Sequence, residues 1–151
     1  MRRNDLERKL SYIESLFIEI ECNVNNNHNN NSSKILIGSL YRRPSSNIND
    51  FLNELENIFD LIANENKKIY LLGDFNINLF NFDNDLHVRR FVNLMHSNNM
   101  FNVINKSTRV TNTLATLIDH VWTNNFSNLY NNGILFEKNN RSLSCIFIFQ
   151  K

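Results

Sequence analysis

Leu71-Leu72-Gly73-Asp74-Phe75-Asn76-Ile77-Asn78, entered from Ile69-Tyr70, joins an apolar run to a polar close. An apolar run of this length bounded by a Gly reads as a buried strand. The carboxyl ends of such strands are where α/β sheets present their chemistry. Residues two apart in an extended chain project to the same side, so Asp74 and Asn76 are expected to converge on one substrate atom or metal ion. A carboxylate beside an amide suits the joint grip of a phosphate and a water. The same residues also make an ordinary polar turn, because Gly, Asp and Asn are turn formers, and this alternative stays open at this point.

Working upstream, Asn47 to Ala63 has apolar residues at Phe51, Leu52, Leu55, Ile58, Phe59 and Ile62, the stripe of a core-facing helix. Lys34 to Tyr41 is rich in Ile and Leu and closes on Arg42-Arg43-Pro44, where the single proline ends a strand. Strand, helix, strand (the last Lys68 to Gly73) suggests a crossover unit, with an antiparallel arrangement also open. Tyr12 to Cys22 alternates as a strand. Between the first two strands lies 23–33, almost all Asn, which is expected to be a loose hairpin loop with His28 a solvated loop residue. Downstream, Asp85 to Ser97 reads as a helix capped by Asp85, with His87 and His96 nine residues apart and so not a ligand pair. Phe101 to Ile104 is a short strand, Thr108 to Thr116 a hydroxyl-rich loop, and Leu117 to Thr123 a strand carrying Asp119. Leu129 to Phe136 and Leu143 to Phe149 are further strands. The count predicts an α/β or α+β sandwich whose last strands are mostly antiparallel.

Composition removes some functions. A net charge of +1 gives no bulk electrostatic case for nucleic-acid binding, although a local basic patch is compatible with it. Arg42, Arg43 and Arg109 are equally readable as phosphate contacts or as solvated loop charges. Asn makes up roughly one residue in five, several times the usual share. With a normal apolar fraction, this reads as a bias laid over a globular pattern. Cys22 and Cys145 lack metal spacing, which points to free thiols in a reducing, intracellular setting. Met1-Arg2-Arg3 leads into a charged segment rather than a signal peptide, and no run reaches membrane-spanning length, so no membrane partner is expected. Asp119 lies among Leu117, Ile118, Val121 and Trp122, which predicts burial. A buried carboxylate needs a partner: a His, a metal-bound water or backbone amides. His120, next in the chain, faces the other way.

Tyr41-Arg42-Arg43-Pro44, Gly73-Asp74-Phe75-Asn76, Ser107-Thr108-Arg109-Val110-Thr111 and Thr116-Leu117-Ile118-Asp119-His120 occur in that order. Together they resemble the endonuclease/exonuclease/phosphatase family, and more narrowly the endonuclease domain that precedes reverse transcriptase in non-LTR retrotransposons. The resemblance runs over about 13–134. It implies a DNase I-like, four-layer α/β sandwich, two mixed β-sheets flanked by helices, present here as a single, incomplete domain over 1–151. It also implies Mg²⁺-dependent hydrolysis of DNA phosphodiesters, a longer polyprotein with reverse transcriptase, and nuclear action if the substrate is genomic DNA. Asp74 matches the residue that positions or deprotonates the attacking water, and Asn76 the one that binds the scissile phosphate. Tyr41 matches the phosphate-side tyrosine, and Asp119 the aspartate that orients a distant histidine. Arg42, Arg109 and Thr116 fall on the substrate side. The metal ligands are unassigned.

The departures are specific. After His120 the chain has no Asp and no His, whereas the family ends in a Ser-Asp-His motif; 138–147 occupies about that place. The metal-binding Glu of the family's first strands has no counterpart, and Glu14, Glu19 and Glu21 belong to a later strand. The expectation is therefore weak activity or none in this chain, with one sheet exposing an edge and part of a core face. A non-catalytic mobile-element remnant and an unrelated α/β binding module are the competing readings.

Overall fold

A computed structural model describes residues 1–7, 13–26, 29–125, 131–136 and 143–148. Its elements are α1 (Asn4–Glu7), β1 (Ile13–Asn26), β2 (Asn29–Arg42), α2 (Ile48–Ile62), β3 (Lys68–Asp74), a 3₁₀ turn at Leu79–Asn81, α3 (Leu86–Ser97), β4 (Phe101–Asn102), β5 (Arg109–Val110), β6 (Ala115–Thr116), β7 (Asp119–Thr123), β8 (Asn131–Phe136) and β9 (Leu143–Ile148). The main sheet has the order β1-β2-β3-β7-β4 and is mixed: β2 and β3 are parallel, while β1–β2, β3–β7 and β4–β7 are antiparallel. β5–β6 and β8–β9 are separate antiparallel pairs. The crossover reading of β2-α2-β3 is therefore correct. Among the described residues the other strands form these two small antiparallel pairs rather than a second large mixed sheet.

Asn47 and Asp85 cap the two long helices, each accepting from a backbone amide two residues on. Their apolar stripes bury Phe51, Leu55, Ile58, Phe91 and Met95 against one face of the sheet, where Leu36, Leu40, Leu71 and Trp122 meet them. On β1 the alternation puts Ile13, Phe17 and Glu19 on this inner face. It leaves Leu16, Ile18 and Ile20 on the other, where each is about 40 % exposed (40 %, 38 % and 42 %). The expected exposure of a sheet face is thus present. The edge of β1 is partly covered: Arg3 N donates to Phe17 O at 2.8 Å and Glu19 N to Met1 O at 2.7 Å. A charge network holds this N-terminal segment. Arg3 pairs with Asp5, Glu19 and Glu65, and Lys67 pairs with Glu19 and Glu65. Lys67 and Lys34 hold the Glu19 carboxyl down at about 2.

Two expectations need correction. The Asn-rich segment is not a loose loop over 23–33, because the β1–β2 ladder continues through it to Asn26 opposite Asn29. Ladder bonds are main-chain bonds and tolerate polar side chains. Only 27 and 28 lie outside the described residues, and with them the reading of His28. Likewise, Thr108 to Thr116 is not all loop but closes the short β5–β6 pair. Tyr12, Leu129, Phe149 and 138–142 fall outside the described residues. No helix among the described residues is long and apolar enough to cross a membrane.

His120 sits on the inner face, 1 % exposed, stacked on Phe75 at 4.9 Å, with Nε2 3.1 Å from Leu117 O. Burial pushes its pKa down to about 4, so it is neutral in the folded protein and takes up a proton on unfolding below the ordinary value of 6.5. Its burial is without penalty above pH 6.5 and opposes folding progressively as the pH falls from there towards 4. We expect His120→Phe, which keeps the aromatic packing, to remove roughly 2 kcal/mol of the stability loss between pH 7 and pH 5. Urea unfolding of both proteins at the two pH values checks this; parallel pH dependences would refute it.

Candidate active site

The site grows out of the register of three strands. Tyr41 at the end of β2 is the pairing partner of Asp74 at the end of β3, and Asp74 is in turn the partner of Asp119 at the start of β7. Partners across neighbouring strands lie roughly 5 Å apart and share a face. Tyr41, Asp74 and Asp119 thus form one row on the face opposite the helices, with Glu14 of β1 continuing it beyond Tyr41. Tyr41 is exposed; Asp74 and Asp119 are half-buried.

Gly73 makes the approach of β3 to β2 possible. It has a φ of +144°, and a Cβ there would lie 1.8 Å from the Leu40 carbonyl oxygen. No other residue fits that contact. Past Asp74 the chain leaves the sheet in a tight turn. Asn76 has a φ of +48°, its amide donates to Asp74 Oδ1 at 3.0 Å, and its Nδ2 donates to Arg42 O at 2.7 Å. Asn76 is therefore adjacent to Asp74, but through a left-handed turn rather than the extended alternation expected from the sequence. One Nδ2 hydrogen remains for a second acceptor.

Asp119 has the partner its burial requires. The Thr108 hydroxyl bonds its side chain and accepts from the amides of Ile118 at 3.2 Å and Asp119 at 3.1 Å. Burial raises the Asp119 pKa, and the Asp74 charge adds to this. The Thr108 hydrogen bond and the Arg109 charge act against it. Asn78 Oδ1 accepts from Leu117 N at 3.0 Å, and Phe75 N donates to Ile118 O at 3.0 Å, so the turn after β3 is tied to the residues just before Asp119. The sequence alone does not place Thr108 or Asn78 at the site, although Thr108 lies in the Ser107-Thr108-Arg109-Val110-Thr111 stretch and Asn78 continues the Asp-x-Asn-x-Asn spacing.

The basic residues separate into three cases. Arg42 is buried, and its guanidinium donates to the carbonyls of Ser46, Phe75 and Asn76. Arg43 is exposed and pairs with Glu14 at 3.0 Å. Arg109 is exposed on β5, opposite Thr116 of β6, and near Asp119. Thr116 Oγ1 is buried without a hydrogen-bond partner. His87 and His96 are exposed on α3, and His120 belongs to the aromatic core.

A family model described as "Endonuclease-reverse transcriptase" matches residues 35–144, well over half the chain. The chain belongs to the endonuclease/exonuclease/phosphatase family. No curated protein matches it. Among solved structures, it superposes on the endonuclease domain of TRAS1, a telomere-specific non-LTR retrotransposon, with a TM-score of 0.61 at 10% identity, covering 92% of this chain and 69% of that one. A family protein from Leptotrichia buccalis gives 0.58 at 15% identity (89% and 54%), and the Xenopus laevis APE2 catalytic domain 0.58 at 12% (88% and 55%). At such identities the likeness concerns the fold, which is that of the DNase I-like members. The chain spans little more than half the length of the latter two.

The family implies a divalent metal, and the donor set tests it. Among the described residues no three His, Cys, Asp or Glu side chains are grouped to hold an ion. Asp74 and Asp119 are the two carboxylates at the site, and one oxygen of Asp74 already accepts the Asn76 amide. Glu14 is turned to Arg43 and Glu19 is locked in the charge network. The described residues do not by themselves make a magnesium site.

The raised Asp119 pKa means that its ionised form is disfavoured in the fold above that pKa and is relieved once it is protonated. Asp119→Asn should therefore raise the thermal midpoint at pH 7, and the gain should shrink as the pH falls through the carboxylate range. Calorimetry at pH 7 and pH 4 measures both; a loss of stability at pH 7 would show that the charge is needed by the fold itself.

Proposed function

We propose that this chain is a phosphodiester hydrolase domain of the DNA-nicking type, weakly active at most as it stands, and in its native setting joined to a reverse transcriptase. The observation that supports this is the row Tyr41–Asp74–Asp119 with Asn76 bonded to Asp74. In-line attack on a phosphodiester needs a positioned water, donors to the phosphoryl oxygens and help at the leaving oxygen. In this reading Asp74 accepts the water's proton. The free hydrogen of Asn76 Nδ2 and the Tyr41 hydroxyl meet phosphoryl oxygens. Arg109, exposed beside Asp119, meets the DNA backbone and adds the salt dependence of a phosphate contact. Mg²⁺ would supply charge neutralisation at the phosphate, with ligands beyond those the described residues offer.

One observation favours a second reading, a non-catalytic remnant of a mobile element. Asp119 is matched to a residue whose family role is to orient a histidine, and among the described residues the side chain bonded to it is that of Thr108. Loss of a general acid–base group typically lowers rate by about two to four powers of ten.

Plasmid nicking with Mg²⁺, comparing the chain with Asp74→Ala, separates the two. Slow metal-dependent nicking that disappears in Asp74→Ala is the expected result. Equal background in both proteins would leave the remnant reading standing.

A further inference from the structure

Arg42 is the last residue of β2, two before Pro44, the position of a surface residue, yet it is 5 % exposed. On β2 the inward positions are Leu36, Gly38 and Leu40, and Arg42 continues that parity. Its side chain consequently enters the core side of the sheet, over the ring of Phe51 with the guanidinium carbon 5.9 Å from the centroid. Every arm of the fork is used. Nε donates to Phe75 O at 2.8 Å and Nη2 to Asn76 O at 2.8 Å. Nη1 donates to Ser46 O at 3.0 Å and Ser46 Oγ at 3.2 Å. The backbone of Arg42 is held in return, since its carbonyl accepts Asn76 Nδ2 at 2.7 Å. Burial disfavours the arginine's charge, and the Asp74 carboxylate offsets part of that penalty.

These bonds converge on the left-handed turn that follows β3. Asn76 is left-handed, a conformation that is disfavoured for a residue with a side chain. Two adjacent carbonyls, those of Phe75 and Asn76, are gripped by one rigid planar group. The Phe75–Asn76 peptide cannot rotate without breaking the bond to Phe75 O, nor the peptide after it without breaking the bond to Asn76 O. The orientation of the Phe75–Asn76 peptide aims the Asn76 amide at Asp74 Oδ1. The same arginine follows Tyr41 directly, so the clamp also fixes the end of β2 that presents the phenol.

We propose that Arg42 is a positioning residue. It clamps the Phe75–Asn76 turn to the end of β2 and so holds Tyr41, Asp74 and Asn76 in one arrangement, without touching substrate. This replaces the substrate contact expected from the sequence, and its catalytic part rests on the hydrolase reading above. Lysine cannot substitute, because a compact ammonium does not reproduce a planar fork directed at three residues.

The test uses Arg42→Lys, with Arg43→Lys as the matched exposed control. Hydrogen exchange of the Asn76 backbone amide, read by NMR, should accelerate roughly tenfold or more in Arg42→Lys and stay at the wild-type rate in Arg43→Lys. Unchanged Asn76 exchange in a folded Arg42→Lys protein overturns the clamp. If Arg42→Lys does not fold, the wild-type protein decides. The Arg42 Nε proton should exchange far more slowly than that of Arg43, and equal rates overturn the proposal. In the nicking assay, kcat should fall roughly tenfold or more with KM for DNA unchanged, as for a misplaced rather than a missing contact; an unchanged kcat overturns the positioning role. Wild-type nicking no faster than Asp74→Ala would defeat the hydrolase reading instead, and the exchange result would then judge the clamp alone.

Discussion

The parallel pairing of β2 with β3 is the constraint on which the site depends, and it is set where Leu40 faces Gly73. The Leu40 carbonyl occupies the volume a Cβ would need, so the two strands can meet in this register only with glycine at that place. From that contact the neighbours follow. Tyr41 comes beside Asp74, and the antiparallel pairing of β7 brings Asp119 to the other side. A slip of β3 by one residue against β2 would turn Asp74 to the helix-covered face, away from Tyr41, and bring Leu71 to the open one. The inner face carries enough packed aromatic and aliphatic surface, centred on Phe51, Phe91 and Trp122, to make such a slip costly.

Much of this architecture was legible in the sequence because the signals were periodic. The helical stripe from Phe51 to Ile62, the cap at Asp85 and the alternation of β7 each have one simple reading, and His120 was placed opposite Asp119 by alternation alone. The Asn-rich segment misled for a physical reason. Composition reports what side chains can bury, whereas a hairpin close to its turn is held by main-chain bonds. Asn76 misled differently. Its closeness to Asp74 was expected from an extended chain, but β3 ends at Asp74, and the approach comes from a left-handed turn.

Arg42 is the instructive case. Residue type and the neighbouring proline say surface; strand parity says core, since Arg42 lies two residues beyond Leu40. Parity proved decisive because the strand's pleat persists to its last residue, and the buried charge is tolerated because carbonyl oxygens and Asp74 surround it. Thr108 is less legible. Its part at Asp119 depends on a chain reversal through β5–β6, which no local pattern in a stretch of Ser, Thr and Asn specifies.

The parts that hold the site and the parts that would run its chemistry are physically separate. Arg42, Gly73, Asn78 and Thr108 act through main-chain carbonyls and amides rather than through the groups that would meet a substrate. The arrangement of Tyr41, Asp74 and Asp119 is therefore stable whether or not the chain can hydrolyse anything. The raised pKa of Asp119 follows from that separation. Its position is fixed by backbone and hydroxyl bonds, while among the described residues the positive charge acting on it is that of the exposed Arg109. A carboxylate kept half-buried beside a second carboxylate disfavours its own ionised form.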